Sequence, residues 1–505
     1  MLDFPEFAPL KITHSTRGVT DSQLAALDHL AIVLPKNPPG SVFADLPQSK
    51  QLLKLMQRAR AQGLSRASSR LPNPRATGVT MAIVESTTPF AALTWAREVL
   101  ADCLRDRPSK LGLLTAGLDE SARMDALSHL VAAAHAAAFK LPSFKTDEQP
   151  RPIELEQVSL LDAKPRLPLE RLRAEALGNN VARWFTALPP NRLTATAYRE
   201  AVETFAAQRS LGCKFLGEKE LEKLGAGAFL AVAQGNPQRD AGIVRLCYRP
   251  AGTHGPELTL IGKGVIFDTG GTNLKSFKSM LDMHTDMQGS AVALGALLAL
   301  AELEVPYAVD AWLAVTENRL SANAYKSQDV VTAANGTTIQ VIHTDAEGRM
   351  VLADALALAA RDEPKMMIDY ATLTGSCVSA LTQRYSGVFS NRASINSLLL
   401  DAGRLSGERV WPFPMDEDFD QLLRSDVADV KQCAVEGHGD HLLAARFLSR
   451  FVPKSIAWVH VDLSAGEHKG GLAHVPTDIT GFGVRFTLEL LRSSRPAELA
   501  KTVSA

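Results

Sequence analysis

The 505-residue chain has no CxxC pair, no excess of charge of either sign and no long uninterrupted apolar run. Each absence removes a class of protein. The five cysteines, Cys103, Cys213, Cys247, Cys377 and Cys433, are scattered and odd in number, which argues against a disulfide framework and a thiolate zinc site and fits a reducing compartment. A net charge of −1 shows neither a basic face for nucleic acid nor an acidic tail. The most apolar stretch, 291–301, is too short to span a bilayer and runs straight into Glu302 and Glu304. Residues Met1 to Glu6 carry acidic groups early, with no basic start and apolar run behind them, unlike a secretory signal. The expectation is a soluble, cytoplasmic protein without membrane or nucleic-acid partners.

Several catalytic signatures are missing too. Eight histidines between His254 and His474 include no HExxH pair. There is no GxSxG elbow, and Ser376 in Thr374-Gly375-Ser376-Cys377 has no evident partner. Cys377 reads as a buried structural cysteine. Gly262-Lys263-Gly264 lacks the glycine spacing and the Ser/Thr of a phosphate loop. Repeats, heptads and low-complexity tracts are absent.

What is present is ordinary globular material, 46% hydrophobic and 22% charged, long enough for two cores. Strand-like and helix-like segments alternate. Strands are predicted at 30–34 and 79–84, with helices at 91–104 and 123–139. A proline-bearing, charged stretch over 145–170 reads as a surface connection leading to a helix near 172–188, which Pro189-Pro190-Asn191 stops. Beyond it, strands are predicted at 258–262, 265–267, 308–315, 338–342, 366–370 and 457–463. Helices are predicted at 289–303, 349–360 and 483–491. This alternation indicates an α/β fold with two domains, the larger C-terminal one built on a parallel or mixed central sheet. The expected division is an N-terminal domain 1–170, a linking helix 171–190 and a catalytic domain 191–505. Ligands in such sheets gather beyond the carboxyl ends of strands, where Asp268, Asp345 and Thr372 fall.

Two short stretches concentrate charge in apolar surroundings. One is Lys263-Gly264-Val265-Ile266-Phe267-Asp268-Thr269-Gly270-Gly271, followed by Lys275 and Asp286. The other is Thr344-Asp345-Ala346-Glu347-Gly348-Arg349. Asp268, Asp286, Asp345 and Glu347 offer enough carboxylate oxygen for two divalent cations. Lys263 and Lys275 can ligate as amines or stabilise an oxyanion as ammonium groups. Arg349 can fix a small anion or a carboxylate through its planar fork. The chemistry indicated is metal-assisted hydrolysis of an amide, ester or phosphate. The plainer alternative is salt bridges and helix caps, with Asp286 and Asp345 each capping the helix that follows. Gly270-Gly271 is either a bare turn or a place where backbone approaches a ligand.

These stretches resemble the two-metal leucine aminopeptidases. The likeness is carried by Thr344 to Arg349 and its continuation through Leu356, by Thr372-Leu373-Thr374-Gly375, by Ser425-Asp426-Val427-Ala428-Asp429 and by Gly481-Phe482-Gly483-Val484-Arg485. It covers roughly 189–485, while the N-terminal third is similar only in its α/β texture, where the resemblance implies a smaller macro-like domain. The resemblance implies a metal-dependent aminopeptidase that removes N-terminal residues from peptides by attack of a metal-bridging hydroxide. It implies a homohexamer. Lys263, Asp268, Asp286 and Glu347 match the ligands of one metal, and Asp268, Asp345 and Glu347 those of the other. The metals implied are Zn²⁺ or Mn²⁺, with Mg²⁺ or Co²⁺ as alternatives. Lys275 matches the lysine that stabilises the tetrahedral intermediate, and Arg349 the arginine that anchors a bicarbonate. Met283, Thr372 and Gly375 match the pocket for the first side chain, and Leu373 a residue whose backbone helps to hold substrate. Departures stand at His343, Thr269, Gln288 and Thr272-Asn273-Leu274, none of them a ligand position. They are expected to tune metal affinity and rate, with His284 and His343 acting on metal preference or pH dependence. Ser464 and Glu467 stand where small and apolar residues are usual, which predicts a broader or shifted side-chain preference. The rival readings are a two-metal hydrolase of another class and an added DNA-binding or scaffolding role.

Overall fold

The structure, a computed structural model, describes residues 5, 7–84, 88–146, 155–492 and 494–501. The expectation about a secretory signal, and the middle of the charged stretch 145–170, fall largely outside these residues. The chain forms two compact units. One comprises Ala8–Ala176 with Lys469–Asp478; the other comprises Met1–Phe7, Leu177–His468 and Ile479–Ala505. Helix Glu170–Thr186 carries the chain from the first to the second. The late segment counts with the N-terminal unit because Arg97 donates to the carbonyls of Gly470 and Val475, 3.1 Å each. Ala473 also packs against Leu93 and Ala132.

The N-terminal unit holds a six-stranded sheet in the order Lys11–His14, Gln157–Leu161, Lys110–Thr115, His29–Leu34, Gly78–Ile83, Arg66–Arg70. Only the last strand runs antiparallel to its neighbour. Strand His29–Leu34 is buried on both faces. Ala31 and Val33 pack with helices Pro89–Leu104 and Glu120–Ala138, whereas Leu30, Ile32 and Leu34 pack with helix Ser49–Ala61. A two-residue alternation thus feeds two apolar layers, which is why this strand reads as a continuous apolar run.

The C-terminal unit is built on eight strands in the order Val410–Pro412, Ser386–Ser390, Ala457–Asp462, Met366–Ala371, Leu258–Asp268, Val309–Asn318, Gly242–Tyr248, Gly212–Gly217. The middle four are mutually parallel. Antiparallel strands flank them, so the sheet is mixed. The segments predicted at 258–262 and 265–267 are one strand, Leu258–Asp268, with Lys263 in its middle. Helix Gln288–Glu302 lies close on this strand. A Cβ at Gly262 would sit 2.3 Å from Ser290 Cα, and one at Gly289 would sit 2.1 Å from the Tyr370 carbonyl oxygen. Helix Glu347–Ala359 is buried along its whole length within an apolar cluster that includes Ile261, Val265 and Met367.

The segment predicted as a strand over 338–342 is shorter, Thr338–Gln340, and belongs to a separate three-stranded sheet with Val330–Thr332 and Val430–Lys431. Beyond Gln340 the backbone donors turn to loop partners: Val341 to the Asp329 carbonyl and Ile342 to Gln432 Oε1. That small sheet launches the loop carrying Asp345. No helix among the described residues is long and apolar enough to cross a membrane.

Candidate metal centre and active site

The parallel strands all end at one edge of the sheet, and the candidate residues sit there. Asp268 ends its strand, Asn318 and Asp462 end theirs, and Thr372 follows Ala371. Gly270 and Gly271 then turn the chain with φ of +84° and +65°. A Cβ at Gly270 would meet the Asn273 carbonyl oxygen at 2.5 Å and Asp345 Oδ1 at 2.9 Å. The pair is therefore both a turn and a close approach to the second charged stretch. The turn delivers Lys275, whose backbone N–H donates to the Thr269 carbonyl at 2.9 Å.

Thr344 joins the two stretches. Its hydroxyl donates to the Gly270 carbonyl at 2.6 Å and accepts from the Asn273 N–H at 2.8 Å. Its own carbonyl accepts from Asn318 Nδ2 at 3.0 Å and from the Tyr325 hydroxyl at 2.7 Å. Asn318 Nδ2 also donates to Asp268 Oδ1 at 2.8 Å. The carboxylates are thus held by buried hydrogen bonds rather than left on a flexible loop.

All twelve candidates come together. Lys263, Asp268, Lys275, Met283, Asp286, Asp345, Glu347, Arg349, Thr372, Leu373, Gly375 and Ser464 line one cavity of about 430 Å³. Lys263 Nζ donates to Asp286 Oδ1 at 2.7 Å, to the Thr372 carbonyl at 3.0 Å and lies 2.9 Å from Glu347 Oε1. Lys275 Nζ lies 2.9 Å from Asp268 and 2.6 Å from Asp345. Burial works against the charge of both lysines, but the surrounding carboxylates outweigh it and hold both amines above the ordinary lysine value. Burial raises Asp286, Asp345 and Glu347 as well, with Asp268 adding repulsion. Glu347 is pushed up to about 8 and Asp286 to about 6, despite Lys263 nearby.

The capping alternative does not hold. Helix Gln288–Glu302 has Met287 at its cap position and helix Glu347–Ala359 has Ala346, neither with a side-chain capping bond. Asp286 and Asp345 are therefore free of that duty. Ligand oxygens of Asp268, Asp286 and Glu347 lie within 4.8 Å of one another, and all three residues are buried. Asp286 Oδ2 and Glu347 Oε2 are buried with no hydrogen-bond partner. Buried carboxylate oxygens left without donors fit a divalent cation, which restores what desolvation removes.

The remaining candidates divide. Leu373 commits its N–H to Asp462 Oδ1 at 3.2 Å. Gln288 turns inward, its Nε2 donating to the Gly466 carbonyl at 3.0 Å, and it lines the cavity with Glu467. Thr269 braces the turn through the Asn318 carbonyl at 2.8 Å. His343 is exposed, its Nδ1 accepting from the Asp345 N–H at 3.3 Å, and neither it nor His284 lines the cavity. Ser376 does have a partner, contrary to the sequence reading. Its hydroxyl lies 3.0 Å from His441 Nδ1 and accepts from the His441 N–H at 2.9 Å. The bond anchors the start of helix Asp440–Ser449, a role that no local motif announces.

Sequence reasoning also missed Asn318, Tyr325, Gln432, Asp440 and Asp462. Asn318 and Asp462 end parallel strands, which was a usable signal. Asp440 meets Arg349, with Oδ2 at 2.6 Å from Nη2. Gln432 accepts from the Ile342 and His343 N–H groups and donates to the Ala346 carbonyl at 2.9 Å, so it holds the loop of Asp345.

The sequence pattern of the cytosol aminopeptidase family, catalytic domain, matches residues 180–488. A probable cytosol aminopeptidase of Syntrophotalea carbinolica is 41% identical over 64% of this chain and 65% of its own length. One of Acidovorax ebreus is 38% identical over 76% of this chain and 77% of its own. The aligned part thus spans about two thirds of the first of these relatives and about three quarters of the second. Among solved structures, a mutant tomato leucine aminopeptidase superposes with a TM-score of 0.83 at 26% identity, covering 97% of this chain and 98% of that one.

Proposed function

This chain belongs to the cytosol aminopeptidase family, and from that membership we infer that it is a metal-dependent aminopeptidase that releases N-terminal residues from peptides. The observation that carries the reading is the buried carboxylate cluster with two oxygens left without donors. Lys263, Asp268, Asp286, Asp345 and Glu347 would hold two divalent ions, Zn²⁺ or Mn²⁺ ahead of Mg²⁺ or Co²⁺. Such ions supply Lewis acidity and an ionised water near neutral pH.

The chain's own groups do the rest. Lys263 would serve as a ligand only as the neutral amine, because an ammonium has no lone pair to offer. Lys275 stays charged at the cavity wall and donates to the oxygen that becomes negative when the first peptide carbonyl is attacked. The carboxylates favour the positive charge of a free α-amine, and an acylated terminus carries no such charge and has no amine lone pair to give a metal. Met283, Thr372, Gly375 and Ser464 receive the first side chain, with Leu373 along the backbone. Ser464 is buried there beside the Cys377 thiol, and a polar group in the pocket wall penalises a purely aliphatic side chain. Leucyl substrates are therefore expected not to stand clearly above arginyl, methionyl and glycyl ones.

The division into 1–170, 171–190 and 191–505, a homohexamer and a cytoplasmic setting complete the reading. Leu274, Phe277 and Leu281, exposed beside Lys275, support a face that assembly covers. The bicarbonate expected at Arg349 meets a guanidinium already engaged by Asp440. The test is hydrolysis of aminoacyl-p-nitroanilides by metal-stripped protein with each metal added back, beside an N-acetylated control. Metal-restored cleavage of the free-amine substrates alone is expected. Cleavage of the acetylated control, or none with any metal in folded protein, would overturn the assignment.

A further inference from the structure

Arg349 is 1% exposed and projects from helix Glu347–Ala359 into the wall of the cavity. A guanidinium so buried needs an anion close by. The chain provides one. Asp440 Oδ2 stands 2.6 Å from Nη2, and Nη1 donates to the Gln432 carbonyl at 3.2 Å. Asp440 is the first residue of helix Asp440–Ser449, where the free N–H groups and the dipole favour a negative charge. Gly439 before it has φ of +66°, the left-handed turn that brings the helix start round to Arg349. A diffusible anion at Arg349 would meet Asp440 already in place. A like charge so close raises the cost of adding another.

We propose that Asp440 is a built-in counter-anion for Arg349, a positioning residue in place of bicarbonate, and that catalysis by this chain is independent of bicarbonate. The proposal rests on the aminopeptidase reading. It predicts that the anion site opens only when the carboxylate is removed. Asp440→Ala leaves Arg349 without its anion and leaves space for a small one. Asp440→Glu keeps the charge.

The experiment compares the wild type, D440A and D440E in CO₂-free buffer with and without added bicarbonate or formate. Binding of ¹³C-bicarbonate to each metal-free protein is followed by NMR. The wild type is expected to be equally active with and without bicarbonate and to leave the ¹³C line unbroadened. D440A is expected to lose about 10- to 100-fold in kcat/KM, the usual cost of removing a group that orients an active-site residue. It should regain activity with bicarbonate or formate and broaden the line, while D440E stays near wild type. Stimulation of the wild type by bicarbonate, or line broadening in the wild type equal to that in D440A, would overturn the proposal. If D440A fails to fold, the wild-type titrations decide alone. If no protein cleaves any free-amine substrate, the aminopeptidase reading fails while the NMR arm still judges the anion site.

Discussion

Lys263 shows how far a residue can be read without its neighbours. A lysine inside an apolar strand signals a use, because an unpaired buried ammonium is too costly to keep. The chain alone left its role open between ligand and oxyanion aid. Its three acceptors come from three other segments and fix it among the carboxylates. Glu347 gives a test at the same scale. Its folded pKa is raised from 4.5 to about 8 by burial and then by Asp268. Between those values the folded, metal-free chain keeps a proton that the unfolded chain has released. The neutral acid escapes the cost of burying a charge, so stability is greatest at the acid end and declines as pH rises toward 8. The decline amounts to at most a few kcal/mol. Glu347→Gln cannot ionise and should flatten that slope. Melting of both metal-free proteins across the window checks it, and parallel curves would refute the assignment.

At the scale of elements, the decisive contact is between strand Leu258–Asp268 and helix Gln288–Glu302. Helical spacing and Ala/Leu content made the helix legible, and its observed bounds differ from the predicted 289–303 by one residue at each end. The close approach through Gly262 was not legible, since a glycine in a strand has several commoner meanings. Gly262→Ala would press a methyl group against Ser290 Cα, which is backbone and cannot swing away. A loss of about 1–3 kcal/mol is expected in urea unfolding. Asp286, just before the helix, should also move away from Lys263, so metal affinity should fall in calorimetric titration. An unaltered affinity would separate the packing from the site.

For the whole molecule, the cluster read as the metal centre belongs entirely to the unit that includes Leu177–His468. Metal that binds only the folded form of that unit stabilises it by about 2.7 kcal/mol at a hundredfold excess over Kd. Hydrogen exchange should therefore slow in Leu258–Asp268 and Glu347–Ala359 on loading, and remain unchanged in His29–Leu34 of the other unit. Slowing in both units alike would mean that they open as one.

The sequence by itself determined the chemistry. Four carboxylates, two lysines and an arginine stand in apolar surroundings where burial demands partners, and the alternation of strands and helices sets the α/β class. Those are local properties, carried by neighbours in the chain. Tertiary structure alone decided which ends of which strands meet, that 338–340 leaves the main sheet, and that Arg349 finds Asp440 91 residues away. A partner that distant leaves no period or spacing to read, because packing of the helices between them sets the encounter.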